Sequence, residues 1–574
     1  MVSRKTKNGS IVLFFILCSL VSLALLLWRC KYGFAYEDES FYLTIPYRLC
    51  RGDQLLIHEW HGTQLSGLLL LPLVKAYLGL FNSTEGILLS FRIIFSVVWW
   101  GAGLFLFFRL SRLTFSGSIL AFFVFVFYVP YGIMALSYNS LGILLFLAFC
   151  TIVVSVESYR TIQLVFAGVL FAGAVLCCPY LIAFWFAVLL FSLVCSIFRI
   201  KPAISYKTWS YFRYITYGAG LVFTFFCFLL FRGAPLSDYI KVLPMILSDP
   251  EHPSGAWIEK LKMVIYYGRE LNELWFPGTI CALLVTLISK VTKRVKLGFI
   301  IICVIVAALL ISYSFGFHII NFYMFPICFL GLYCGICSDN KCIKRCFCYM
   351  WIPGFGFAVC NSLSSNQAYF AFSSASTVMA VASVVMGALF CKDIQKEDQH
   401  DQTFSWTSIF VVTAFLLITG LQSFLLADER IRVVYGDRSG GLVSRQTVEI
   451  EQGPHKGLMV TEDDSEYYET MMEDLQSLRF DKNCQNVLFL SIHTWLYLCA
   501  EKDIASYSAW LSGVNDETFH RLERYYQLFP EKIPDIIVVD RDFRDSVHVF
   551  IDKEYELASN TTSQYTCVLT RRCG

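Results

Sequence analysis

The chain has 574 residues, of which 56% are apolar, 17% aromatic and only 16% charged, and its mean hydropathy is +0.59. These values lie outside the soluble globular range and make it a polytopic membrane protein. The net charge of +2 hides an asymmetry, since residues 428–574 carry 16 Lys and Arg against 26 Asp and Glu while residues 1–427 carry 30 against 18, and no nucleic-acid motif accompanies either set.

A helix needs about 20 residues to cross a hydrocarbon core of roughly 30 Å. Apolar runs of that kind predict spans at 10–28, 86–108, 114–136, 139–157, 162–178, 180–198, 209–231, 273–290, 297–315, 319–337, 346–364, 368–391 and 404–426. Basic loops stay cytoplasmic. Lys5 and Lys7, Arg109 and Arg112, Arg160, Arg199 with Lys201 and Lys207, Lys290 to Lys296, Lys341 to Arg345, and Lys392 with Lys396 fall at every second connection. Thirteen spans with the N-terminus inside put the first loop (29–85), a second large loop (232–272) and the C-terminal segment (428–574) together on the outside. The first run lacks a small-residue cleavage site and reads as an uncleaved anchor. Short cytoplasmic loops and the lack of sorting signals point to a multi-pass protein of a bacterial plasma membrane, in contact with membrane lipids.

Inside the first outer loop, residues 40–53 and 63–81 have apolar residues at helical spacing; Pro72 and Lys75 interrupt the second. Both are expected in the interface plane, because a crossing at 63–81 would invert every later loop. The C-terminal segment alternates strand-like runs (486–492, 534–540, 565–571) with amphipathic helical ones (465–478, opened by a Ser cap, and 516–529), which predicts a small α/β domain. The GPHKG run at 453–457 reads as a turn. Cys30, Cys50, Cys484, Cys499, Cys567 and Cys573 could bridge in an oxidising exterior, with no pairing fixed by spacing. Cys334, Cys337, Cys342, Cys346 and Cys348 straddle two span ends and a basic loop and read as membrane-edge thiols.

Chemistry concentrates next to the first span. The stretch YEDESFY places Asp38 and Glu39 where the chain leaves the bilayer, and acids beside an anionic surface cost stability unless something uses them. Asp38 could remove a proton from an acceptor hydroxyl or amine while Glu39 orients it, or the pair could hold a divalent cation. As first-turn residues of the following helix they would also suit its dipole. His58, Glu59, His61 and Lys75 follow in the same loop, and Arg92 stands at the outer end of the second span. Such a set suits a sugar carried on a lipid phosphate. The phosphate can leave as an anion, stabilised by cations such as Arg, while the carboxylate takes the acceptor's proton and the anomeric configuration inverts. Ionisable groups within spans are few (Arg92, Arg213, His318), and paired interrupted helices are lacking, which argues against an ion-coupled carrier.

At YEDESFY, the RGD turn (51–53), EWHGTQL (59–65) with the following LLLLP, and FRIIFSVV (91–98), the sequence resembles the GT-C glycosyltransferases, in the branch of protein O-mannosyltransferases and the lipid A aminoarabinose transferase. The resemblance implies a GT-C-like membrane domain over 1–427 with an extracytoplasmic α/β domain at 428–574. It also implies transfer of a hexose or pentose from a polyprenyl-phosphate-linked donor to a lipid, glycan or protein acceptor, with Asp38 as base. Arg92, His61, Glu59, His58, Lys75, Tyr42, Asn139 and Arg269 are the candidate contacts to donor phosphate and substrate. Asn139 stands where the family often has Asp, and His61 to Gln64 replace a proline-rich segment. Asp249, Glu251 and His252 could hold a divalent cation, although a Pro-bounded turn explains them as well. Two competing readings are a non-enzymatic lipid-linked-sugar translocase and a membrane-anchored assembly protein that binds through residues 427–574.

Overall fold

In hydrocarbon every backbone polar group must be satisfied within its own segment, so apolar runs of this length fold as helices. The computed structural model describes residues 2–34, 37–156, 161–197, 207–248, 257–271, 273–315, 320–365, 367–400, 406–434, 441–477, 485–511, 513–540, 555–559 and 566–571. Each expected span contains a helix, and the chain is a polytopic α-helical membrane protein. Among the described residues, however, ten helices rather than thirteen are long and apolar enough to cross a membrane, and one of the ten is Gln64–Phe81. Four expected spans are shorter helices, Phe115–Phe127, Thr161–Cys177, Pro179–Leu190 and Cys328–Cys337. At 1.5 Å per residue, ten residues reach about 15 Å, half a hydrocarbon core.

The elements around the first outer loop are α1 (Val2–Arg29), α2 (Glu37–Cys50), α3 (Gly67–Phe81), α4 (Ile87–Leu110), α5 (Phe115–Phe127) and α6 (Tyr138–Ser155). The acids of YEDESFY fall inside α2, in its first turn. Glu37 and every residue from Glu39 to Arg48 are buried, which leaves no polar face for water. The covering layer is the C-terminal unit.

That unit begins after the last long helix with two short antiparallel pairs, β1 (Val433–Val434) with β2 (Gly441–Leu442) and β3 (Val448–Glu449) with β4 (Met459–Val460). A five-stranded sheet follows, made of β5 (Asn486–Leu490), β6 (Asp503–Ile504), β7 (Ile536–Asp540), β8 (Tyr555–Ser559) and β9 (Thr566–Arg571) in the order β6-β5-β7-β9-β8. β5 runs parallel to β6 and β7, and β9 is antiparallel to β7 and β8. The all-apolar runs of β5 and β7 are buried, as strands covered on both faces must be. Helices Glu462–Ser477 and Asp516–Leu528 lie near the expected positions. The first is capped by Thr461 instead of Ser465: its Oγ1 accepts the Asp464 N–H at 3.2 Å.

The first loop and the C-terminal unit share buried clusters. Phe41, Leu43, Tyr77 and Leu88 share one buried cluster with Ile450, Tyr468, Phe489, Trp495 and Val538. Trp60 and Val242 share a second with Leu488, Leu522 and Val539. The link between α1 and α2 is hydrogen-bonded to β4, with Gly33 N–H donating to the Met459 carbonyl at 2.8 Å and Met459 N–H to the Lys31 carbonyl at 2.7 Å. Gly33 has φ +100°, and a Cβ there would stand 2.4 Å from Val434 Cγ1, so glycine is required. The GPHKG turn has a structural use. The carbonyls of Gly453 and Pro454 accept the N–H groups of Gly86 and Leu88, two of the donors left over at the start of α4. Cys30, Cys50 and Cys499 are free thiols, as are Cys334, Cys337, Cys342, Cys346 and Cys348; Cys484 and Cys573 lie outside the described residues.

Candidate functional site

Three consecutive carboxylates open α2. Successive helical residues are rotated by about 100°, so Glu37, Asp38 and Glu39 face three directions and meet three different neighbourhoods.

Glu39 faces α4. Arg92 grips it with both arms of its fork, Nε to Oε1 at 2.6 Å and Nη2 to Oε2 at 2.8 Å. The remaining nitrogen, Nη1, donates to the carbonyls of Cys30 at 3.2 Å and Gly33 at 3.0 Å. Both side chains are buried, and a buried carboxylate without such a partner would cost several kcal/mol. Arg92 is therefore engaged on all three nitrogens. Its expected contact with a donor phosphate would require breaking the Glu39 pair.

Glu37 faces the C-terminal unit. Its Oε1 lies 2.5 Å from His493 Nδ1, and its Oε2 accepts the Thr494 N–H at 3.1 Å. Behind the imidazole, Tyr467 Oη lies 2.5 Å from His493 Nε2. Thr494 Oγ1 donates to the Glu37 carbonyl at 2.9 Å and lies 2.5 Å from Ser40 Oγ. Every member of this chain is buried.

Asp38, between them, is half-buried and faces tyrosines. It is hydrogen-bonded to the hydroxyl of Tyr42, one turn on, and Tyr138 and Tyr131 stand close enough to interact electrostatically with that hydroxyl. The Tyr138 ring meets the Tyr42 ring edge-on with centroids 5.6 Å apart. Burial, and after it the Asp38 carboxylate, pushes the Tyr42 phenol well above its ordinary range, so it stays protonated and donates. Tyr131 adopts φ 57°, an unusual backbone for a tyrosine, and Gly132 continues the turn at φ 73°. Asn139 is half-buried in the first turn of α6, within the capping box of Ser137 and Ser140.

The other expected contacts lie elsewhere. Glu59 belongs to a second buried cluster at the far end of α2, where it accepts from Arg48 Nη1 at 2.6 Å and from the Ala509 N–H at 3.1 Å. His58 Nδ1 accepts the Gln54 N–H at 2.8 Å, and burial pushes its pKa down to about 4 despite the Asp53 carboxylate 3.9 Å away. His61 Nδ1 faces the Thr63 hydroxyl at 2.8 Å, with the ring edge-on to Phe41. Lys75 is exposed on α3, and Arg269 is exposed at the end of the helix Trp257–Leu271. Asp249, Glu251, His252 and the span residue His318 lie outside the described residues. Among the described residues no group of three or more His, Cys, Asp or Glu side chains could hold a metal ion.

Of the expected residues, then, Asp38, Glu39, Tyr42 and Arg92 come together, and His58 and Glu59 form a different cluster. Sequence reasoning missed Glu37, His493, Tyr467, Tyr131 and Tyr138. A signal for His493 existed in SIHT, a polar run directly after the buried strand β5, since the carboxyl ends of parallel strands are where α/β sheets present functional groups.

No family model matches the chain, and no curated protein does. Two solved structures show a likeness of chain path. ArnT from Cupriavidus metallidurans, in a crystal structure bound to undecaprenyl phosphate, has a TM-score of 0.48 and 10% identity over 98% of both chains. The archaeal oligosaccharyltransferase AglB from Archaeoglobus fulgidus, in complex with an inhibitory peptide and a dolichol-phosphate, has a TM-score of 0.41 and 10% identity over 92% of this chain and 70% of that one.

Proposed function

We propose that the chain is an integral-membrane glycosyltransferase that moves a sugar from a polyprenyl-phosphate-linked donor to a lipid, glycan or protein acceptor, with Asp38 as general base. The observation that carries this reading is the separation of the three carboxylates. Two are locked in buried pairs, whereas the middle one keeps an open side and a hydrogen-bond donor that orients it. A half-buried carboxylate oriented by a phenol donor, in the first turn of the helix that follows α1, is suited to accept a proton.

In the proposed step the acceptor oxygen attacks the anomeric carbon from the face opposite the phosphate, and its proton passes to Asp38. The bond between that carbon and the phosphate oxygen breaks, and polyprenyl phosphate leaves with the bonding pair. A single displacement inverts the configuration. With a second phosphate pKa near roughly 6, the leaving group needs no protonating acid. Arg92 is assigned to holding Glu39, and through it the turn that carries Asp38. The reading puts the chemistry on the membrane face shared by the loop after the first span and the C-terminal unit.

Two measurements test the reading. Mass spectrometry of lipid copurified with the protein should find a polyprenyl phosphate or its glycosylated form; ordinary phospholipids alone would count against it. Asp38→Asn should lower release of polyprenyl phosphate from polyprenyl-phosphate hexoses and pentoses by about 10²–10⁴-fold, with a membrane extract supplying acceptor. A variant with wild-type turnover removes Asp38 from the chemistry.

A further inference from the structure

The Glu37–His493–Tyr467 chain joins residues 26 and 456 positions apart, and both of its far members come from the C-terminal unit. Its burial makes a surface ornament implausible: His493 and Glu37 are each 8% exposed at the side chain. Tyr467, a phenol at 2.5 Å from Nε2, supplies a proton donor there, which leaves the Nδ1 proton to point at the Glu37 carboxylate. Thr494 adds its N–H to the same carboxylate and its hydroxyl to the Glu37 carbonyl, so both the side chain and the backbone of the first residue of α2 are held.

This grip has a geometric consequence for the next residue. A helix turn fixed on one side alone can still roll about its axis, and a roll of 20° moves a carboxylate 5–6 Å from the axis by about 2 Å. Arg92 fixes the Glu39 side and His493 fixes the Glu37 side, so the direction of Asp38 between them is determined twice over. Displacements of about 1 Å at a reacting group can cost on the order of 100-fold in rate.

We propose that His493, oriented by Tyr467, is a positioning residue for Asp38, so that the C-terminal unit completes the active site of the membrane domain. This inference rests on the assignment of Asp38 as the base. It gives the unit a role in turnover besides any role in acceptor choice.

The test uses the full-length protein and compares His493→Ala, His493→Asn, His493→Gln and Tyr467→Phe with Asp38→Asn, measuring kcat and KM for a polyprenyl-phosphate hexose. His493→Ala should lower kcat by about 10–100-fold with KM changed less than about threefold. Asn places its amide where Nδ1 stands and should restore most of kcat. Gln places its amide toward Tyr467, away from Glu37, and should restore little. Tyr467→Phe should lower kcat by about 3–10-fold through loss of the fixed tautomer. If His493→Ala does not fold, the Asn, Gln and Tyr467→Phe series decides the matter. Equal kcat for the Asn and Gln variants overturns the proposal, and so does wild-type kcat in His493→Ala. An inactive Asp38→Asn beside a fully active His493→Ala removes the positioning role alone, whereas a fully active Asp38→Asn removes the base and the positioning role together.

Discussion

The two ends of α2 make opposite use of buried charge. At the C-terminal end Arg48 is fully buried and donates to Asp53 at 2.7 Å, to Glu59 at 2.6 Å and to the Ser506 carbonyl at 3.0 Å. Lys532 pairs with the second oxygen of Asp53. Burial alone would raise the Asp53 carboxyl, but Arg48 and Lys532 outweigh it and hold the group below its usual range. Every charge in that cluster is matched, and its members come from both the first outer loop and the C-terminal unit. At the N-terminal end the same unit reaches in through His493 and Thr494, and of the three carboxylates there Asp38 is only half-buried. The closed cluster is a joint, and the open turn is where the proposed proton transfer takes place.

If that contrast holds, breaking the joint should cost stability and leave the chemistry of the surviving folded protein alone. Arg48→Ala leaves the buried Glu59 without its cation and Asp53 with Lys532 alone, and is expected to destabilise the protein by about 3–5 kcal/mol, read as a lower midpoint in denaturant. Asp38→Asn, in the open turn, should change that midpoint by less than about 0.5 kcal/mol. A joint variant with unaltered stability would erase the distinction.

The joint also has a pH signature, from His58. Its pKa falls from 6.5 to about 4 because burial disfavours the imidazolium. Above pH 6.5 the ring is neutral in folded and unfolded chains alike, and the contribution is whole. Between pH 6.5 and about 4 the unfolded chain binds a proton that the folded one refuses, so stability falls as the pH falls, by up to about 3 kcal/mol at the lower limit. His58→Asn keeps an acceptor for the Gln54 N–H but cannot titrate, and denaturation midpoints at pH 7 and pH 4.5 should lie closer together in that variant. An unchanged pH dependence would show that His58 titrates normally in the fold.

What the sequence discloses and what it hides separate along physical lines. Apolar length and basic loops reveal the spans, because a bilayer imposes both locally. Strands β5 and β7 and the helix Asp516–Leu528 are legible for the same reason, each being a single-segment pattern. Four expected spans fall below spanning length, at Phe115–Phe127, Thr161–Cys177, Pro179–Leu190 and Cys328–Cys337, since hydropathy does not register where a helix breaks. The burial of α2 is invisible, because its cover comes from residues more than 400 positions away. For the site, the acids near residue 38 stand out by composition, and their division of labour does not. Glu37 and Glu39 flank Asp38 equally in the sequence, whereas the fold assigns each its own anchor, Arg92 for Glu39 and His493 for Glu37. Arg92 reads as a phosphate ligand in the sequence because a lone arginine at a membrane edge has no visible partner in one dimension.

The smallest expected effect is the most discriminating, because it removes one oxygen from the open turn. Tyr42 is 4% exposed and packs edge-on against Tyr138, so Tyr42→Phe preserves shape and costs about 1 kcal/mol or less in stability. If the hydroxyl only fills space, turnover stays at the wild-type level. If it aims the Asp38 carboxylate, kcat should drop by about tenfold, the equivalent of one charge-assisted hydrogen bond, while KM holds, because the donor sugar makes the same ground-state contacts. A fall in KM-dependent binding with kcat intact would instead place Tyr42 against the substrate, and would shift the orienting role to Glu37 and Glu39, whose anchors do not involve that hydroxyl.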